Sequence, residues 1–327
     1  MAKKVAVSGY YGFKNFGDEL ILSILTEKLK SVGARVTVFS SYTAFTRKTC
    51  GVESVKRFSP FAIVKTLLWC DVLISGGGSL FQDATSVKSV LYYAFILGLA
   101  QLFGKKTVIF AQGVGPLYHP LSRFCVKNLF RHCNYVSVRD ERSLNLMEKW
   151  GIKAALVPDP AYSLTIAQVE KENILGVQLR SFTGMDTEFL QNFAFAISKC
   201  PQKCIKVFPL QKSLDLAVCR EFVALLQGVV PDKEVEIVED NLIVELSRLD
   251  TLVSMRFHSL IVALKAGVKC AVINYDPKVQ ILAENFSLPL IEFTDSSYDI
   301  LQKIKNSAAA SGVQDSYPWE NLLKFVR

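Results

Sequence analysis

The sequence is short of several things, and each absence narrows the reading. No apolar run reaches the roughly 20 residues that a membrane-spanning helix needs. The longest candidate, Val90–Phe103, reads as a buried helix, with membrane contact as the second option. There is no block of Lys and Arg and no RNP-type aromatic signature, which argues against nucleic acid as a partner. No heptads or fixed-period repeats occur, so coiled coils and solenoids are out. Eight cysteines are present, but Cys200 and Cys204, four apart, are followed by no His or Cys pair at zinc spacing. The thiols therefore read as reduced and cytosolic, with no metal site expected. Met1-Ala2-Lys3-Lys4 runs directly into apolar Val5–Ser8, so no signal peptide is expected ahead of it.

What is present is a long, apolar and basic chain. Its 327 residues suggest two domains. Hydrophobic residues make up 50% and mean hydropathy is +0.26, ample for sizeable cores. A net charge of +8 favours anionic partners, either phosphorylated substrates or an acidic membrane surface. Short apolar strands alternate with helical stretches along the chain, restarting after a polar linker at Ser163–Glu172. The pattern implies an α/β fold of two Rossmann-type, doubly wound parallel-sheet domains facing across a cleft. The expected boundaries are 1–165 and 172–295, with a helical tail over 296–327.

The polar and glycine-rich residues gather where strands end. Gly9 to Glu19 joins the first strand to a helix expected from about Leu20. Three glycines there mark a loop where backbone comes close to something. The spacing is neither G-x-G-x-x-G nor G-x-x-x-x-G-K-[ST]. Tyr10, Tyr11 and Phe13 suit a stacking wall for a sugar ring, or the packing of a lid. Asp18 and Glu19 open the helix, where first-turn acids serve the dipole more often than catalysis. Gly76-Gly77-Gly78 follows another strand, with Gln82 and Asp83 at the same rim, and Gln112 opens a third turn. Arg139 ends a strand, where it either binds an anion or pairs with Asp140 or Glu141; Arg180 ends another.

The densest constellation is Thr251 to Val279, a βαβ unit. Its strand-to-helix edges carry Arg256, His258 and Lys278, on the rim where open α/β sheets bind ligands. Ser259 reads as the helix N-cap. A cation beside a helix start suits a phosphate or carboxylate, and His258 can move a proton near neutral pH. A cap and a surface charge are the plainer alternative.

Taken in order, seven blocks carry a resemblance. They are G-Y-Y-G-F-K-N-F-G-D-E (9–19), S-G-G-G-S-L-F-Q-D-A-T-S (75–86), A-Q-G-V-G-P (111–116), V-R-D-E-R-S (138–143), P-D-P-A (158–161), M-R-F-H-S-L (255–260) and Y-D-P-K-V (275–279). Together they resemble the polysaccharide pyruvyl transferase family, closest to the bacterial enzymes of secondary cell-wall polysaccharide (the CsaB type). Lys14-Asn15-Phe16 departs from the smaller G-N-A usual before G-D-E, and Phe257 stands where Leu is commoner. The resemblance implies a GT-B-like fold and transfer of the enolpyruvyl group of phosphoenolpyruvate to a hexose, of N-acetylmannosamine type, as a cyclic ketal. It implies that Arg139, Arg256, His258 and Lys278 bind phosphoenolpyruvate, and that Tyr11, Phe13 and Asp18 belong to an acceptor-side loop.

Chemistry adds roles. His258 is the expected proton-transfer residue and Asp18 the base for a sugar hydroxyl. Asn15, Gln82, Asp83, Gln112 and Arg180 are further candidates for substrate contact. No cofactor is expected, phosphoenolpyruvate being a co-substrate. The expected partners are phosphoenolpyruvate and a saccharide acceptor linked to polyprenyl diphosphate, with no nucleic acid. The expected location is the cytoplasm, with peripheral contact at the inner membrane face. Two other functions fit less of this pattern: a GT-B glycosyltransferase using a nucleotide sugar, and a non-catalytic polysaccharide-binding protein.

Overall fold

A computed structural model describes residues 2–84, 86–167, 169–230, 232–310, 313 and 317–327. Thr85 of the second glycine block and Gln168 of the linker fall outside the described residues. The chain divides into two compact units, Met1–Ser163 with Ser316–Arg327, and Leu164–Asp315. Each is a parallel α/β sheet with helices on both faces.

The first unit runs β1 (Lys4–Ser8), α1 (Phe16–Ser31), β2 (Arg35–Ser40), α2 (Thr43–Cys50), β3 (Glu53–Lys56), α3 (Pro60–Trp69), β4 (Val72–Ser75), β5 (Gly78–Phe81), α4 (Val87–Leu102), β6 (Lys106–Val114), α5 (Pro120–Arg131), β7 (Tyr135–Val138), α6 (Glu141–Lys149) and β8 (Ala155–Leu156). The strand order is β3-β2-β1-β4-β6-β7-β8, with β5 paired to β6. Central strands such as β1 and β4 are buried on both faces and read as continuous apolar runs, as parallel sheets require. Alternate residues serve two cores. Ala6, Leu73 and Ile109 face α3, α4 and α5, whereas Val5, Ile74 and Phe110 face α1.

The second unit runs β9 (Ile174–Gln178), α7 (Thr187–Ser198), β10 (Cys204–Val207), α8 (Lys212–Val229), β11 (Glu234–Ile237), α9 (Leu242–Arg248), β12 (Thr251–Ser254), α10 (Phe257–Lys265), β13 (Lys269–Ile273), α11 (Pro277–Asn285), β14 (Leu290–Ile291) and α12 (Ser297–Lys305). Its order is β11-β10-β9-β12-β13-β14. A last short helix, α13 (Glu320–Leu323), belongs to the first unit. The chain end is thus not a separate helical tail. α12 packs on α7, whereas Tyr317, Leu322 and Val326 are buried in the α1-side core of the first unit.

Some local expectations shift for identifiable reasons. α1 begins at Phe16 and not near Leu20, because Asn15 caps it: its Oδ1 accepts from the Gly17 amide at 3.1 Å. The stretch after the three glycines is not all loop, since Gly78–Phe81 pairs with β6 as β5. Val90–Phe103 falls within and just past α4, whose inward side, including Ile96 and Leu97, is buried. Among the described residues no helix is long and apolar enough to cross a membrane, and no group of three or more His, Cys, Asp or Glu is placed to hold a metal ion. All eight cysteines are free.

Candidate functional site

In a doubly wound sheet the ligand crevice opens beyond the carboxyl ends of the two strands where the order reverses. In the second unit those strands are β9 and β12, paired in register with Gln178 opposite Ser254. Arg180 and Arg256 each stand two residues beyond that pair, one on either side of the reversal. Arg256 is gripped by Asp215 of α8, with Nε to Oδ2 at 2.9 Å and Nη2 to Oδ1 at 2.6 Å. Nη2 also donates to Gln211 Oε1 at 3.3 Å. Asp215 has no exposed surface, and its Oδ2 takes the Gln211 amide as well. This bidentate pair fixes the guanidinium plane and leaves Nη1 outside it. Arg180 has no carboxylate partner among the described residues. Its guanidinium lies 5.1 Å from the Tyr275 ring centre, and Nη1 donates to Tyr275 Oη at 3.3 Å. Its buried Nε has no hydrogen-bond partner among the described residues.

His258 lies in the first turn of α10, its ring edge-on to Phe257 at 5.4 Å between centres. Ser259 is not the N-cap; Arg256 occupies that position. The Ser259 hydroxyl is buried inside the turn, donating to the Arg256 carbonyl at 2.7 Å and meeting Ser254 Oγ at 2.7 Å. The serine pair therefore braces the Arg256 backbone. Lys278 opens α11, capped by Asp276, whose Oδ1 accepts the Lys278 amide at 2.8 Å. Arg180, Arg256, His258 and Lys278 thus follow the carboxyl ends of three consecutive neighbours of one sheet, β9, β12 and β13.

The corresponding reversal in the first unit lies between β1 and β4, where the two glycine blocks sit. Here Tyr11 departs from the stacking-wall expectation. It is wholly buried, and its ring fills the space over Gly9 and Gly76. A Cβ on Gly76 would lie 1.9 Å from Tyr11 Oη, so this glycine makes room for a tyrosine and not for a ligand. Tyr11 Oη has no hydrogen-bond partner among the described residues; burial, then Asp18 and Glu19 nearby, pushes its pKa well above the ordinary value. The stacked aromatic pair at the loop is Tyr10 with Phe13, 4.1 Å apart and 7° from parallel.

Glu19, a first-turn acid in the sequence, and Arg57, which is not among the sequence-based candidates, hold this loop. Glu19 accepts the amides of Gly12 at 2.8 Å and Lys14 at 3.2 Å. Burial pushes its pKa to about 7, against the lowering effect of those amides. Arg57, just past β3, is only 4% exposed and has no carboxylate partner among the described residues. Its guanidinium sits 4.5 Å from the Tyr92 ring centre, 4.9 Å from Phe58 and 5.0 Å from Phe13. It donates to the Gly9 carbonyl at 3.3 Å and to Tyr93 Oη at 3.2 Å. Asp18, in the first turn of α1, approaches the second glycine block: a Cβ on Gly78 would lie 2.9 Å from its Oδ1.

Arg139, past β7, pairs with neither Asp140 nor Glu141. Its Nη1 meets Asp159 Oδ2 at 2.6 Å, and Nη2 donates to Ser79 Oγ at 3.1 Å. Asp159 comes from the P-D-P-A block and is almost fully buried. Asp140 instead caps α6, with Oδ1 accepting the Ser143 amide at 2.8 Å.

Three sequence candidates have structural partners. Asp83 spends both oxygens on the Tyr118 and His119 amides, at 2.7 and 2.9 Å. Burial raises its pKa, but those amides together with the Ser122 hydroxyl and His119 outweigh it, and the net shift is downward. Gln112 is fully buried, and its Oε1 takes the Leu80 amide at 3.2 Å, pinning β5 to β6. Asn15 is the helix cap already described. Gln82, beside Asp83, is half-buried at the end of β5.

Residues 15–277 match the family model described as polysaccharide pyruvyl transferase. No curated protein matches the chain by sequence. Solved structures of similar fold include the UDP-GlcNAc 2-epimerase of Neisseria meningitidis bound to UDP-GlcNAc. It is 12% identical with a TM-score of 0.65, over 98% of this chain and 100% of that one. The UDP-GlcNAc 2-epimerase of Methanocaldococcus jannaschii is 12% identical with a TM-score of 0.62, over 96% and 97%. A glycosyltransferase from Rickettsia africae is 13% identical with a TM-score of 0.57, over 93% and 87%. At such identities the likeness is one of fold: two Rossmann-type domains of GT-B kind.

Proposed function

Because this chain belongs to the polysaccharide pyruvyl transferase family, we propose that it moves the enolpyruvyl group of phosphoenolpyruvate onto a hexose of a cell-wall or lipid-linked saccharide, closing a pyruvate ketal and releasing phosphate. The observation that carries this reading is the cationic edge of the second unit. Arg180, without an acidic partner among the described residues, Arg256 with its Nη1 outside the Asp215 clamp, His258 and Lys278 all follow the carboxyl ends of the adjacent strands β9, β12 and β13, the first two of which flank the sheet reversal. Phosphoenolpyruvate presents a phosphate and a carboxylate, and planar guanidinium groups grip such oxyanions well. The reading needs no cofactor, since side chains meet the substrate charge.

A proton adds to the enol methylene and C2 becomes oxocarbenium-like. One sugar hydroxyl attacks C2 and loses its proton. A second hydroxyl displaces phosphate from C2, closing the ring. Of the two hydroxyl protons, one is accounted for in the new methyl group and the other in the released phosphate. His258 is assigned the proton transfer, a role contributing roughly 10²–10⁴-fold. Asp18 is the base proposed on the acceptor side, with Phe13 and Gln82 as acceptor contacts and Arg139 as a further phosphoenolpyruvate contact. The acceptor proposed is N-acetylmannosamine-type and polyprenyl-diphosphate-linked, as in the cell-wall branch of the family, which puts the reaction on the cytoplasmic side.

The test pairs binding with turnover. Phosphoenolpyruvate is expected to raise the melting temperature, and UDP-GlcNAc is not; the reverse result favours a nucleotide-sugar glycosyltransferase. With candidate glycans, phosphate release should accompany the mass of an added ketal. Binding of glycan with no phosphate released points to a non-catalytic binding protein. His258→Ala should abolish turnover with the fold intact, and near-normal activity removes His258 from the mechanism.

A further inference from the structure

The helical layer α3, α4 and α5 covers one face of the first sheet, with α4 in contact with both neighbours. Its inner side supplies the core, yet its outer side is unusually apolar. Phe61, Leu68, Phe95, Leu102, Leu121 and Phe124 are between 47% and 78% exposed. Scattered surface apolar residues need no explanation, but several on one contiguous face mark a contact surface.

Charge identifies the occupant. None of the residues of α3, α4 and α5 is Asp or Glu, whereas Lys65, Lys88, Arg123, Lys127 and Arg131 are basic. From Phe58 to Arg131 the only carboxylates are Asp71 and Asp83, and Asp83 is buried on backbone amides. A two-fold contact centred on these three helices would set their bases against themselves with no acid of the same helices to answer them. An acidic protein partner would satisfy the charges but leave the large aromatic and aliphatic tips to be matched one by one. A fluid anionic bilayer satisfies both, since apolar tips enter the acyl boundary and bases meet phosphates. At the α5 end of the layer, a cavity of about 350 Å³ repeats the combination at smaller scale. Leu117, Leu146 and Trp150 form its apolar lining and Arg123, Arg142 and Lys149 its cations, with no carboxylate among the described lining residues.

We propose that the α3–α4–α5 face of the first unit docks the protein on an anionic phospholipid surface. Docking is read by binding alone and does not depend on the transferase reading. The experiment is flotation of the full chain with vesicles of phosphatidylglycerol and phosphatidylcholine in equal parts, against phosphatidylcholine alone, at low and high salt. The protein should float with the anionic vesicles, weakly with neutral ones, and less as salt rises. Each surface base contributes about fivefold on an anionic membrane. Arg123→Glu with Lys127→Glu should therefore lower binding at least about tenfold, and Leu121→Ser with Phe124→Ser should do so through lost insertion. Arg220→Glu on α8 of the second unit should change little. Thermal melts separate lost docking from lost folding, because Lys127 is half-buried and Arg123 donates to the Leu117 carbonyl at 3.0 Å, whereas Leu121 and Phe124 are exposed. The proposal fails if anionic vesicles bind nothing at low salt, if neutral vesicles bind equally, or if both double variants bind like the parent. It also fails if sedimentation shows a dimer that those variants dissociate, because a second copy then covers the face.

Discussion

The two sheets share one wiring and use it differently. In each, three strands run to one side in reverse chain order and the remainder to the other, so each has a crevice at its central reversal. Between β1 and β4 that crevice is filled by the Tyr11 ring, seated on Gly9 and Gly76. Between β9 and β12 it is bordered by Arg180 and Arg256. The same contrast extends to how each unit treats an arginine. Arg57 is enclosed by aromatic rings without an acid, whereas Arg256 is clamped by a fully buried carboxylate. Topology places a crevice; the residues just past the strand ends decide whether it is plugged or charged.

The largest expected effect is in the clamp. Asp215→Ala strands Arg256 in a mostly buried position, and loss of one partner of such a pair costs about 3–5 kcal/mol. Urea denaturation should show that loss, with weakened phosphoenolpyruvate binding in the folded fraction.

Next comes the plug. Gly76→Ala forces a methyl against Tyr11 and should cost about 1–3 kcal/mol. Tyr11→Phe alone should be neutral or slightly stabilising, because the hydroxyl it removes is buried without a partner. The double variant should recover part of the Gly76→Ala loss, and strict additivity in thermal melts would show that the two do not touch.

Arg57→Met tests the aromatic enclosure and should cost about 1–2 kcal/mol, combining a cation–π contact with the bond to Gly9. Faster amide exchange across residues 9–14 is the local readout.

The effect of Glu19 differs in kind, because it appears only as a pH dependence. Its folded pKa of about 7 lies above the ordinary 4.5, so its contribution to stability is complete below about pH 4.5 and is lost as pH rises through 7. Glu19→Gln should flatten the fall in melting temperature between pH 5 and 7.5. An unchanged slope would assign that fall to other groups.

Much of the frame was legible because parallel strands are short apolar runs and their loops collect glycine and charge. The α/β alternation, the glycine rims and the rim positions of Arg256, His258 and Lys278 follow from local pattern. What was not legible depends on partners distant in the chain. Asp215 lies 41 residues before Arg256, and Arg57 reaches Gly9 across 48. Arg139 passes over the acids beside it to pair with Asp159, 20 residues on. Tyr11 and Gln112 look like rim residues in sequence, but neither keeps any exposed surface. Ser259 matched a cap signature, yet its hydroxyl serves Ser254 and the Arg256 carbonyl inside the turn.

By itself the sequence determined the secondary structure period, the parallel wiring and the family, since these depend on residues near one another and on blocks in fixed order. Tertiary structure alone decided which rim side chains are core, which arginine is neutralised and by what, and that three helices present apolar tips and bases without a single acid on one face. Those outcomes turn on burial and on pairings across strands, where desolvation makes a distant carboxylate count for more than an adjacent exposed one.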